Sequence, residues 1–317
     1  MNDDDSTFRA KLLQLLGDFP VREKLNCEIE KKRVVEGVTR YKLSYEVEGG
    51  QRIGAYLLSP VPLEELGKKP ALLAIHQHAG QFYLGKSEPA GLSAEEEYHY
   101  GLQLCKRGYV VLCPDLLCFE DRRPAEYRRK EGTAPEGALY ERFEAMNYLL
   151  NGSTLQAKYL SDLSAGLDLL GQLEGVDQDR IGVIGHSLGG QESVWLAWYD
   201  ERVRACVSSC GCSLYRAILR DEVTHNFSFY VPGFLKLGDM DDLLAEIAPR
   251  PLLLTNGKED VIFPLDGVIE MAQSVKEVYR EQGHGNRFKS IRFPGGHGFP
   301  QNVREEAYDW LDKWLKD

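Results

Sequence analysis

The chain of 317 residues lacks any apolar run that approaches the roughly 20 residues of a membrane-spanning helix. A secretory signal needs a basic start followed by an apolar core. Met1 to Ser6 are acidic instead, and Leu12 to Leu16 is short and belongs to an amphipathic pattern. The sequence therefore predicts a cytoplasmic protein with no membrane partner.

The chain has fewer basic than acidic residues, with 38 lysines and arginines and 49 aspartates and glutamates. The net charge of -11 repels phosphate backbones, so nucleic acid is not an expected partner. One basic cluster is interleaved with acidic residues, which is typical of a solvated loop or helix face rather than an anion site. Its members are Arg122, Arg123, Arg128, Arg129 and Lys130.

The seven cysteines cannot all pair, because their number is odd. Cys206, Cys210 and Cys212 also lack the paired spacing of a zinc site. We therefore expect reduced, mostly buried thiols, with neither a metal nor a cofactor bound.

No linker rich in proline, glycine or serine divides the chain, so residues 1–317 are expected to form one domain. Short continuous apolar runs suit strands that are covered on both faces, as in a parallel sheet. They are Ala71–Ile75, Tyr109–Cys113, Ile181–Ile184, Ala205–Ser208 and Leu252–Thr255. Helical patterns lie between these runs, and a hairpin turning at Gly49-Gly50 precedes them. The predicted fold is a mostly parallel sheet with helices on both faces and an antiparallel N-terminal hairpin.

Two stretches interrupt this alternation, near 119–152 and 213–244. Each follows a strand, so each emerges at the carboxyl edge of the sheet, where open α/β sheets bind ligands. The second stretch is rich in aromatic residues, and we expect Phe229 and Tyr230 to contact substrate. Both stretches are interpreted as lid-like insertions or pocket walls, with simple surface packing as the alternative.

The sharpest motif is Gly185-His186-Ser187-Leu188-Gly189, which is G-x-S-x-G between a predicted strand and a predicted helix. A tight turn there projects the serine at the start of the helix, and small neighbours are required. This setting predicts Ser187 as a nucleophile. The N–H of Leu188 is the expected donor to a developing oxyanion.

A serine nucleophile needs a base and an acid that orients the base, in the chain order serine, acid, histidine. His297 lies in the glycine-rich loop after the last predicted strand, Lys289 to Phe293. Asp260 follows the strand Leu252–Thr255 and is the expected acid, with Glu259 as its nearest rival. For the second oxyanion donor we favour the N–H of His78, after the strand Ala71–Ile75, with Gln77 as rival.

Together these segments resemble the α/β-hydrolase superfamily, and within it the group similar to dienelactone hydrolase and acetyl xylan esterase. The resemblance runs from about Pro70 to the C-terminus. It includes Ala74 to Gln77, Gly85 to Leu92, Arg107 to Leu112, Pro114-Asp115, the serine motif, Pro249 to Leu253 and the histidine loop. It implies the α/β-hydrolase fold and an esterase or deacetylase acting on a small-molecule ester. Dienelactone hydrolase itself uses a cysteine where Ser187 stands, so its lactone substrate is not carried over.

Two other functions stay open at this point. A metal-dependent hydrolase could use His76 and His78, which form a two-histidine pair at a strand end. Alternatively, the chain could be a binding protein that keeps the fold without catalysis, because fold does not fix function.

Overall fold

The computed structural model describes residues 7–21, 24–124 and 135–316. Arg128, Arg129 and Lys130 of the basic cluster lie outside these ranges. The strands are β1 Glu28–Val35, β2 Val38–Glu46, β3 Arg52–Ser59, β4 Lys69–Ile75, β5 Val110–Pro114, β6 Val176–His186, β7 Val203–Ser209, β8 Leu252–Gly257 and β9 Phe288–Phe293. The helices are α1 Phe8–Leu16, α2 Tyr100–Lys106, α3 Ala138–Leu150, α4 Leu155–Gln172, α5 Leu188–Tyr199, α6 Tyr215–Arg220, α7 Phe234–Leu237, α8 Met240–Ala245, α9 Leu265–Glu281 and α10 Gln301–Leu315.

The described strands form one sheet in the order β1-β2-β3-β5-β4-β6-β7-β8-β9. Strands β4 to β9 run parallel, while β1, β2 and β3 are antiparallel, and β3 pairs antiparallel with β5. This confirms the predicted α/β-hydrolase architecture and the N-terminal hairpin. Strand β1 was not predicted, because its sequence EIEKKRVV is exposed nearly throughout and lacks apolar alternation.

The parallel strands are covered on both faces, which explains their continuous apolar runs. On β4, Leu73 packs into the layer that contains α4, α5 and α9, whereas Leu72 and Ala74 pack into the layer that contains α2 and α10. No helix in the described ranges is both long and apolar enough to cross a membrane. The seven cysteines are free thiols, and all except Cys27 are buried.

The solvated character predicted for the basic cluster is wrong at Arg122. Its side chain is buried, and its guanidinium donates to Asp162 Oδ2 of α4 at 2.7 Å and to the carbonyl of Asp115 at 3.2 Å. Interleaved charge in the sequence does not reveal this, because the partner lies 40 residues away. Arg122 thereby fixes the start of the 119–152 segment to the sheet.

The loop before α2 is anchored by a buried lysine. The ammonium of Lys86 lies 2.7 Å from Asp115 Oδ2, 2.7 Å from Glu120 Oε1 and 2.9 Å from Asp121 Oδ2. The side chains of Lys86 and Asp115 are fully buried, so removal of the ammonium would leave carboxylates uncompensated. This cluster fixes the 85–92 segment against the end of β5.

We therefore expect Lys86→Ala to lower the free energy of unfolding by about 3–5 kcal/mol, as for other buried pairs that lose one partner. Urea unfolding followed by circular dichroism measures the change. Lys289→Ala is the matched control, since Lys289 pairs with Glu306 at 2.8 Å with both side chains 48% exposed. Equal stability of the two variants would contradict this account of the cluster.

Candidate active site

Ser187 lies on the sharp turn between β6 and α5, with φ 54° and ψ -119°. Such a backbone conformation costs about 1–3 kcal/mol and persists only where its surroundings enforce it. A Cβ at Gly185 would lie 2.2 Å from the carbonyl carbon of Gly189, and one at Gly189 would lie 2.0 Å from the oxygen of Ile75. The glycines of the motif are thus required by close backbone approach, and the Ser187 N–H is held by the carbonyl of Ser209 at 2.8 Å.

Three side chains that the sequence singled out meet in one hydrogen-bonded row. The hydroxyl of Ser187 lies 2.8 Å from Nε2 of His297, and Nδ1 of His297 lies 2.8 Å from Oδ2 of Asp260. Because an ionised carboxylate only accepts, His297 Nδ1–H donates to Asp260, which leaves Nε2 to accept from the serine. Oδ1 of Asp260 accepts from the N–H of Ile262 at 3.0 Å, so both of its oxygens are engaged.

The rival acid Glu259 occupies a different position. Its side chain is exposed and accepts a hydrogen bond from the N–H of Gly295. The side chain of Asp260 is fully buried at His297. The structure therefore brings Asp260 to the histidine and uses Glu259 to hold the histidine loop.

The main-chain N–H groups of Leu188 and His78, the two expected oxyanion donors, have different hydrogen-bonding partners from the N–H of Gln77, the rival to His78. The N–H of Leu188 is at the first position of α5, where helices have no internal acceptor. Gln77 donates its N–H to Glu88 Oε2 at 3.3 Å. Within the described ranges, the N–H of His78 meets no acceptor. Both Leu188 and His78 line the cavity that contains Ser187.

That cavity has a volume of about 570 Å³, and its walls expose more apolar than polar surface. Both predicted insertions contribute to it, the first through Ala138 and Glu141 and the second through residues 224–227. The other lining residues are Gln77, His78, Ala79, Gly80, Gln81, Glu95, Tyr98, Ser187, Leu188, Gln191, Ile262, Phe263 and His297. No lysine or arginine lines it within the part of the chain that the structure describes.

Sequence reasoning missed Glu141, a buried carboxylate on α3. Oε2 of Glu141 lies 3.1 Å from His78 Nε2, and Oε1 accepts from the N–H of Phe227 at 3.2 Å. Because His78 Nδ1 accepts from the N–H of Gly80 at 3.0 Å, Nε2 carries the ring proton that is donated to Glu141. One carboxylate thus joins the loop after β4 to both insertions, and no local motif marks it.

His186, the variable residue of the serine motif, was also missed. Its ring is buried, stacks on Tyr98 at 4.9 Å and lies 4.9 Å from the ring of His297. Burial, with a smaller contribution from His297, lowers the pKa of His186 well below its usual value. A neutral His186 therefore places no second positive charge beside His297.

His76 and His78, the pair considered as a metal site, form hydrogen bonds to other parts of the protein through their rings. His76 Nδ1 donates to the carbonyl of Gln77 at 2.7 Å, and Nε2 accepts from the N–H of Leu116 at 3.1 Å. Burial lowers the pKa of His76 to about 4, so the ring is neutral. Since both nitrogens of His78 are also engaged, all four ring nitrogens hold the loop in place.

Known proteins share both the sequence pattern and the fold of this chain. Residues 87–313 match the model of the dienelactone hydrolase family. A protein of Bacillus subtilis (strain 168) named "Putative hydrolase YtaP" is 32% identical over 315 residues, which cover 97% of this chain and 98% of that protein. The chain belongs to the dienelactone hydrolase family. Lactones are cyclic carboxylic esters, and this family member is a carboxylic ester hydrolase.

Solved structures share the fold of this dienelactone hydrolase family member. A glucuronoyl esterase from Solibacter usitatus superposes with a TM-score of 0.67 at 16% identity, covering 96% of this chain and 91% of that one. An acetyl xylan esterase from Paenibacillus sp. R4 gives a TM-score of 0.64 at 18% identity, covering 99% of this chain and 96% of that one. At such identities the likeness establishes the fold alone.

The structure does not place Phe229 and Tyr230, the expected substrate contacts, in the wall of the Ser187 cavity. Phe229 is buried behind the wall, stacked on Tyr215 with ring centroids 3.7 Å apart. Tyr230 is 42% exposed and faces a separate apolar hollow. Phe227 and Phe229 belong to one short 3-10 helix, Phe227–Phe229. Phe227 lines the cavity instead, because side chains two positions apart on such a tight turn point in different directions.

Phe227 also borders that apolar hollow, which has a volume of about 270 Å³ and adjoins the cavity. We expect Phe227→Ala in this family member to join the two spaces and to favour longer acyl groups. The ratio of kcat/KM for hexanoate over acetate esters should rise by up to about fourfold for each CH₂ group that becomes buried.

Nitrophenyl esters of increasing chain length measure this effect. Tyr230→Ala is the matched control, because Tyr230 lines the hollow but not the cavity. An unchanged profile in Phe227→Ala, or an equal change in Tyr230→Ala, would refute the role of Phe227 as a divider.

Proposed function

We propose that this protein hydrolyses carboxylic esters through an acyl-enzyme on Ser187, with His297 as general base and acid and Asp260 as the acid that orients it. The observation that carries the proposal is the row of two 2.8 Å hydrogen bonds from Ser187 to His297 to Asp260. In such a row the carboxylate holds the imidazole in the tautomer that accepts the serine proton.

The reaction follows from that arrangement. Ser187 Oγ attacks the ester carbonyl carbon while its proton passes to His297 Nε2, and the carbonyl oxygen becomes an oxyanion. The N–H groups of Leu188 and His78 are the proposed donors to this oxyanion. His297 then gives its proton to the departing alkoxide, which leaves an acyl group on the serine. Water repeats the sequence to release the acid and restore the hydroxyl.

The surroundings of His297 support its part in this cycle. Imidazolium forms twice in each turnover, and buried Asp260 supplies the opposite charge at 2.8 Å. The adjacent ring of His186 stays neutral because burial lowers its pKa, so it does not oppose imidazolium formation. Asp260 is kept in place by the N–H of Ile262.

For the substrate we propose a small acyl group on a polar alcohol, which would make the protein an esterase or deacetylase. Beside its apolar wall, the cavity is lined by the amides of Gln77, Gln191 and Asn226 and by the imidazoles of His78 and His225, which can form hydrogen bonds with the hydroxyl groups of a polar alcohol. The carbohydrate esters named for the structural relatives are the corresponding candidates. We also infer that residues 119–152 and 213–244 are insertions in a single hydrolase domain, since both supply walls of one cavity.

Ser187→Ala should fold normally and lose at least three orders of magnitude in kcat, as deletions of such nucleophiles do. Hydrolysis of nitrophenyl acetate and of sugar acetates measures the loss. A fluorophosphonate should label the native protein on Ser187 and leave the variant unlabelled, and exhaustive chelation should not change native activity.

Near-native turnover by Ser187→Ala would refute the nucleophile. Activity that disappears on chelation and returns with zinc would favour a metal mechanism. Failure of every ester, together with failure of the label, would favour the non-catalytic binding protein.

Asp260→Asn should lower kcat by about four orders of magnitude, because the amide can present an N–H and force the wrong imidazole tautomer. Glu259→Gln is the matched control, since this neighbouring carboxylate is exposed and faces Gly295. Steady-state kinetics on one ester compares the two variants. A damaging Glu259→Gln combined with a silent Asp260→Asn would show that the acid is misassigned.

A further inference from the structure

The loop after β4 is tied down at nearly every polar group. The hydroxyl of Tyr100 donates to the carbonyl of Ile75 at 2.5 Å, and the carbonyl of His78 accepts from the N–H of Gln81 at 2.9 Å. The carbonyl of Gln77 accepts from the imidazole of His76. Among the described residues, the N–H of His78 is left without an acceptor. This N–H lies in one peptide plane with the carbonyl of Gln77, so the contacts that hold Gln77 help to set its direction.

A single buried carboxylate, Glu88, holds Gln77 at two points. Its Oε2 accepts from the N–H of Gln77 at 3.3 Å, and its Oε1 accepts from Nε2 of the same residue at 2.8 Å. Glu88 is 3% exposed. Neither contact takes part in the proposed proton transfers, so Glu88 has no role in those steps.

Glu88 is itself held rigidly. Its N–H donates to the carbonyl of Gly85 at 3.0 Å, and its carbonyl accepts from the N–H of Gly91 at 3.1 Å. The neighbouring Lys86 is anchored in the buried charge cluster beside β5. The carboxylate is therefore held in a defined position beside the loop after β4.

We propose that Glu88 is a positioning residue for the oxyanion site: it draws the N–H of Gln77 away from the cavity and so leaves the next N–H, that of His78, as the donor to the substrate oxygen. This inference rests on the proposed function, in which an oxyanion forms at Ser187. It adds a residue that touches neither substrate nor the serine–histidine–aspartate row. It also explains why Gln77, nearer to β4, is not the donor.

The ionisation of Glu88 fits this role. Burial raises the pKa of Glu88 to about 7, the hydrogen bonds from Gln77 oppose the rise, and the like charge of Glu95 adds to it. The hydroxyls of Tyr98 and Tyr100 are the other titratable groups that sense its charge. Only the ionised carboxylate can accept from both donors with both oxygens free of hydrogen. As pH falls through about 7, protonation therefore weakens the hold on Gln77.

Glu88→Gln tests the proposal with little change in shape. Its amide has one acceptor oxygen and turns an N–H₂ group toward a donor. We expect kcat on nitrophenyl acetate to fall roughly ten- to hundredfold, with KM changed less than about threefold, because misplacing an oxyanion donor affects the transition state. The affinity for phenylboronic acid, which forms a tetrahedral adduct with an active serine, should fall by a similar factor.

A pH series separates positioning from simple loss of stability. In the native protein, the acid side of the kcat profile should contain a contribution from Glu88, and Glu88→Gln should remove it. Gln77→Met provides a second route, since it deletes the 2.8 Å bond while the carboxylate remains, and should lower kcat by a smaller factor. Glu96→Gln is the control, because Glu96 is exposed on the neighbouring segment.

The inference is overturned if Glu88→Gln and Gln77→Met keep native kcat, native boronate affinity and a native pH profile. It is equally overturned if Glu88→Gln only lowers the melting temperature or only raises KM. Fluorophosphonate labelling keeps this outcome apart from failure of the proposed function. If the native protein is labelled on Ser187 while Glu88→Gln behaves normally, only the role of Glu88 is wrong.

Discussion

The turn that carries Ser187 and the loop after β4 pack backbone against backbone, and the groups at the site are arranged around that contact. Gly189 approaches the carbonyl of Ile75 so closely that no Cβ can be accommodated. The contact brings the N-terminus of α5 against the loop of His76 to Gly80. The N–H of Leu188 and the N–H of His78 can then face one small volume beside the serine. Ser187 itself, at φ 54°, has a backbone conformation that persists only where its surroundings enforce it.

Buried acids hold the loops that the sheet cannot hold. Glu88 fixes Gln77, Glu141 fixes His78 and Phe227, and Asp115 fixes Lys86. Below the cavity, Glu192 on α5 bonds with Gln156 of α4 at 2.6 Å and with Ser228 of the second insertion at 2.9 Å. Burial raises the pKa of Glu192 to about 8, and the hydrogen bonds from Gln156, Ser228 and Gln191 oppose that rise.

The sheet and the serine–histidine–aspartate row were predictable because they rest on local, periodic signals. Apolar runs located strands β4 to β8. Ser187, Asp260 and His297 follow β6, β8 and β9, whose carboxyl ends share an edge. Strand β1 was not predicted, because charged residues on both of its faces leave no alternation of apolar and polar positions. The sequence did not predict the buried contacts of Arg122, Glu88 and Glu141. Their partners are distant in sequence or belong to no motif, so only the folded chain shows the pairs.

Phe227 and Phe229 illustrate the same limit on a smaller scale. Composition alone predicted an aromatic segment near the site. It could not predict that Phe227 and Phe229, on one 3-10 turn, point in different directions. Asn226 fixes that direction by accepting from the N–H of Phe229 at 3.2 Å, while Glu141 holds the N–H of Phe227. The orientation of the wall residue thus depends on polar contacts to α3 and within the insertion. The sheet sets the positions of Ser187, Asp260 and His297, whereas the insertions set the cavity wall. A change in α3 can therefore alter the shape of the cavity without moving Ser187.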